Sequence, residues 1–80
     1  MTFYTKHLRG LLQRAGAEPT PENKDLLDRA VREVLDMQHA DAPDVWEKVK
    51  KIMFENSNAK EKKEFEDSVV RLMVKYLITG

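Results

Sequence analysis

The chain has no cysteine among its 80 residues, so disulfide bonds and thiolate metal sites are excluded and packing must hold it together. It has no surplus of charge either: fourteen basic side chains cancel fourteen acidic ones. Strong affinity for nucleic acid or for an anionic membrane rests on an excess of Lys and Arg, so that balance argues against both. No apolar run approaches the roughly 18–20 residues of a membrane span. The start, MTFYTKHLRG, lacks the apolar centre and small-residue cleavage site of a signal peptide, and the chain is expected in the cytoplasm. Nowhere do apolar and polar residues alternate over five positions with β-branched enrichment, which excludes an evident strand. A Gly-rich phosphate loop, a Gly-x-Ser-x-Gly turn and a cysteine nucleophile are all missing, so no reaction chemistry is legible and no cofactor is expected.

What is present is helical periodicity. Hydrophobic residues make up 41% and charged residues 35%, too apolar and too patterned for a disordered chain. Eighty residues make one domain, 1–80, near the size at which a single core is barely adequate, with roughly 60–65% of the unfolded surface buried. Three punctuation marks cut the chain into four segments. In the first, Gly16 suits a left-handed helix end, Thr20 can cap the next helix and Pro21 fits its first turn. In the second, Asp41 can cap a helix whose first turn tolerates Pro43 and holds Asp44 near the positive pole. The third is Asn56-Ser57-Asn58, where Asn58 and Glu61 have the spacing of a capping box. The fold expected is an all-α bundle of four short helices joined by short turns, with the C-terminal helix most buried.

Helix one, about Thr2 to Ala15, places Tyr4, Leu8, Leu11, Leu12 and Ala15 on one face, with Gly10 on its polar side. Helix two, about Pro21 to Gln38, offers Leu26, Leu27, Ala30, Val31, Val34 and Gln38, and its Asp25–Arg29 and Asp28–Arg32 pairs support the helix without implying function. Helix three, about Ala42 to Glu55, turns Val45, Trp46, Val49, Ile52 and Met53 inward, while Phe54 falls about 140° from the centre of that stripe. Residues 1–17 carry Lys6, Arg9 and Arg14 without an acid, whereas residues 18–41 are rich in acids. These two segments are therefore expected to be antiparallel neighbours with complementary faces.

The fourth helix stands apart. From Phe65 onward one stripe holds Phe65, Val69, Leu72, Met73 and Tyr76, and a second holds Val70, Val74, Leu77 and Ile78. A helix apolar on two sides needs two partners, either both within the chain or one of them another molecule. An exposed second stripe would be relieved most simply by a two-fold dimer, or by another protein's helix. The function expected is a non-enzymatic interaction or assembly module, a homodimer or a subunit that binds protein through Val70, Val74, Leu77 and Ile78, with Phe54 adjoining.

Two other chemistries compete with that reading. Asp36, His39 and Asp41 have near-ligand spacing, but a metal site needs ligands converging from several elements, and only His7 remains among the imidazoles. No metal site is expected. The alternative function is nucleic-acid binding through lysines on either side of residues 56–58, chiefly Lys50, Lys51, Lys62 and Lys63. Glu47, Glu55, Glu61, Glu64, Glu66 and Asp67 interleave with them, where a recognition helix presents an uninterrupted basic face.

Overall fold

A computed structural model describes residues 7–55 and 58–79, and shows four helices in the order α1 (Arg9–Arg14), α2 (Pro21–Leu35), α3 (Ala42–Met53) and α4 (Ala59–Thr79). There is no strand among the described residues, and none of the helices is long and apolar enough to cross a membrane. Tyr4 and Lys6 of helix one, and Asn56 and Ser57 of the third turn, lie outside the described residues.

Each helix begins and ends for a local reason. α1 stops at a Schellman motif in which Gly16, at φ 77°, donates to the Gln13 carbonyl and Ala17 donates to the Leu12 carbonyl. α2 starts where Thr20 Oγ1 accepts from the Asn23 N–H at 3.1 Å, with Pro21 in the first turn. Its end departs from expectation. The helix closes at Leu35 rather than at Gln38, because Asp36 takes the left-handed conformation (φ 56°, ψ 46°) and repeats the same motif, Met37 donating to Arg32 and Asp36 to Glu33. Arg32 then ties the following turn down, donating to Asp28 at 3.0 Å and to the Ala40 carbonyl, and Gln38 is left exposed. At α3 the Asp41 side chain makes no capping bond; only its carbonyl serves, accepting from Val45 at 3.1 Å. At α4 Asn58 Oδ1 accepts from the Lys60 and Glu61 N–H groups, the forward half of the expected capping box.

The core joins all four helices: Leu8, Leu11 and Leu12 with Leu27, Ala30 and Val31, then Val45, Val49 and Ile52, and finally Phe65, Val69 and Met73. α4 is the hub. It packs against each of the other three, most extensively against α2, as expected of the C-terminal helix. Its 21 residues run about 31 Å at 1.5 Å per residue, nearly the whole 33 Å length of the molecule. The charge pairing between segments differs from expectation. Arg14 reaches α4 rather than residues 18–41, bonding Asp67 at 2.6 Å and Glu66 at 3.4 Å.

Candidate functional site

The inner stripe of α4 is buried: Val69 and Met73 are fully covered and Phe65 nearly so, with Leu72 and Tyr76 packed at the margin. Tyr76 anchors this face to α2. Its hydroxyl donates to a Glu33 carboxylate oxygen, and the Arg29 guanidinium lies 4.9 Å from its ring centre. Burial, with the Glu33 carboxylate beside it, raises the Tyr76 pKa above that of a free phenol.

The outer stripe is covered only at its start. Val70 packs against the core, but Val74 is 37% exposed, Leu77 40% and Ile78 78%. α1 meets the N-terminal half of α4. Arg14, at its last turn, is fastened to Glu66 and Asp67, so the clamp lies N-terminal to the bare residues by about two turns. Hydrogen bonding to Arg14 holds the Asp67 carboxyl below its usual pKa and lifts the Arg14 guanidinium above its own.

Phe54 belongs to a different place. It is 57% exposed, and it lines a cleft of about 390 Å³ with Leu8, Gly10, Leu11, Met53 and Glu66. Glu66 and Ile78 are twelve residues apart on one helix, about 18 Å, so the cleft that Phe54 lines is well removed from the exposed end of the outer stripe. Beside the cleft an aromatic stack holds the start of α1 to α3: His7 lies flat on Trp46 (centroids 5.0 Å apart, planes at 14°), and Phe54 meets Trp46 edge-on at 6.0 Å. Among the described residues, Phe54, Val74, Leu77 and Ile78 are the exposed large apolar side chains, and they form two separate patches.

The lysines are less uniform than their spacing suggested. Lys50 Nζ bonds Glu47 Oε1 at 2.9 Å and lies 5.7 Å from the Trp46 ring centre, which holds the Glu47 carboxyl below its usual pKa. Lys51 and Lys63 are exposed and Lys62 is half-buried. Asp36 serves as the left-handed end of α2 and His39 is exposed. Among the described residues no three His, Asp or Glu side chains gather as metal ligands.

The sequence did not disclose the cleft, although two signals bordered it: a glycine in the middle of an amphipathic helix and an aromatic off its helix's core stripe. A Cβ placed on Gly10 would meet nothing within 4 Å, so the glycine leaves open space rather than accommodating a neighbour. Comparison of the chain with family models, with curated proteins and with solved structures finds no match in any of the three.

Proposed function

We propose that this protein is a small, non-enzymatic helical module that binds protein and associates with itself through the outer face of α4. The observation that carries the reading is the exposure of Val74, Leu77 and Ile78 on a helix whose opposite face is already fully packed. Leu77 and Ile78 lie one turn beyond Val74, three and four residues on, so the three share one side of the helix, and exposed apolar surface gathered in this way marks interaction sites. Their burial on association would return roughly 25 cal/mol for each Å² of apolar area removed from water. Lacking cysteine, the chain suits the reducing cytoplasm. The lysines at residues 50, 51, 62 and 63 give weaker support to a nucleic-acid partner, since Lys50 is already paired with Glu47 and acids interleave with the rest.

Val74→Asp tests the reading. By sedimentation velocity and far-ultraviolet circular dichroism, the variant should keep its helix content while losing the association expected of the parent chain. Loss of helix content together with association would mean that Val74 holds the monomer together, and the reading would fall.

A further inference from the structure

We infer that α1 carries a second protein-binding site, a small pocket that takes the C-terminal residue of another protein, with its aliphatic side chain in the pocket and its terminal carboxylate on Arg9. The pocket measures about 150 Å³ and lies between α1 and the turn that follows it, lined by Arg9, Leu12, Gln13, Ala17 and Pro19. No residue of α4 lines it, so the site is separate from the outer face that carries the self-association reading.

The charge at this pocket has one sign. Arg9 is the ionisable residue in the lining, and among the described residues its side chain has no ion-pair or hydrogen-bond partner. Other arginines are engaged: Arg14 bonds Asp67 and Glu66, Arg32 bonds Asp28, and Arg29 lies over the Tyr76 ring. Residues 1–17 contain no acid, and Glu18, the first beyond them, is exposed and does not line the pocket. An unengaged guanidinium fork matches a carboxylate, which it holds by two parallel hydrogen bonds. Gln13 stands one turn from Arg9 on the same side of α1, and its amide supplies a further donor and an acceptor for the last peptide group of the incoming chain.

The rest of the lining states what the carboxylate is attached to. Leu12, Ala17 and Pro19 present no polar side-chain atom, so an aliphatic group fits beside Arg9, whereas an inorganic anion or a phosphate of nucleic acid leaves that part empty. Pockets for drug-sized molecules run to roughly 300–1,000 Å³, well above this one, and a single residue at the end of a longer chain is the better match. A C-terminal Leu, Val or Ile carries both groups on one Cα. The walls are also fixed before any ligand arrives. Ala17 donates to the Leu12 carbonyl at 2.9 Å behind the left-handed Gly16, and Asn23 Nδ2 holds the Glu18 carbonyl at 2.9 Å, which sets the turn between Ala17 and Pro19.

The experiment titrates the full chain, labelled with ¹⁵N, with the peptide acetyl-Gly-Ser-Gly-Leu as the free acid and as the C-terminal amide, following the amide signals of Leu12, Gln13 and Ala17. The free acid should shift them saturably and the amide should not. Arg9→Gln should weaken binding about tenfold or more, the loss expected when hydrogen bonds to a charged group are removed. Ala17→Leu, which fills the pocket at a half-buried position, should abolish binding, with circular dichroism showing that both variants keep their helices. Val74→Asp should bind the peptide as the parent does, which keeps this result apart from self-association. Equal binding of the amide, unchanged binding by Arg9→Gln, or no shift with the free acid overturns the inference. Equal binding of 3-methylbutanoate, the same two groups without a peptide, overturns it as well and makes the pocket a site for a small acid.

Discussion

The two faces of α4 have nearly the same composition and opposite surroundings. On the inner face Phe65, Val69 and Met73 are closed off by three helices; on the outer face Val74, Leu77 and Ile78 meet solvent. Hydrophobicity alone therefore does not set burial here. What differs is cover: α1, α2 and α3 all pack against α4, and the Arg14 clamp that holds α1 to it lies two turns short of the bare residues. The apolar side chains beyond that cover are the ones proposed above to meet another molecule.

A charge placed on each face in turn is the most severe way to break this comparison. Met73→Asp puts an unpaired carboxylate among fully buried side chains, a cost of several kcal/mol that a small domain does not survive. Circular dichroism should show the helices lost. Ile78→Asp should keep them, and equal damage from both would abolish the distinction between the faces. Truncation offers a finer contrast. Met73→Ala should lower the unfolding free energy by about 2–5 kcal/mol in urea titration, measured where the chain is monomeric. Val74→Ala under the same conditions should stay within about 0.5 kcal/mol.

The smallest effect concerns the clamp that sets where cover ends. Arg14 depresses the Asp67 pKa in the folded chain, so the pair contributes stability that is fully present above the carboxylate's unfolded pKa. That contribution is lost as pH falls through the depressed folded value. Both side chains are solvent-exposed, so the contribution is small. Thermal melts between pH 2 and 6, a window set around the usual carboxylate pKa of about 4, should show a shallower acid decline for Asp67→Asn than for the parent. An unchanged decline would show that the clamp adds nothing.

Much of the fold was legible before any coordinates. Periodicity identified four helices, and Gly16, Thr20 and Pro21 marked a boundary whose Schellman turn and side-chain cap appear in the structure. The end of α2 was not legible, because a left-handed aspartate has no signature to distinguish it from the solvated acids around it. Arg14 found its carboxylates on α4 rather than in the nearest acidic stretch, since the packing of helices decides which surface charges meet. For the candidate site, the doubled stripe of α4 showed which residues could bind; whether the chain covered them depended on how the other helices pack along α4. Phe54 stood out by its angle on the helix wheel. Its place in a cleft 18 Å from Ile78 required knowing how α1, α3 and α4 converge.

The most direct test of the central claim is the solution mass of the unaltered chain, by light scattering across a hundredfold range of concentration. An outer face that seeks a second copy predicts a mass that climbs with concentration from the 9.3 kDa of one chain to at least twice that value. A mass fixed at one chain throughout would contradict it.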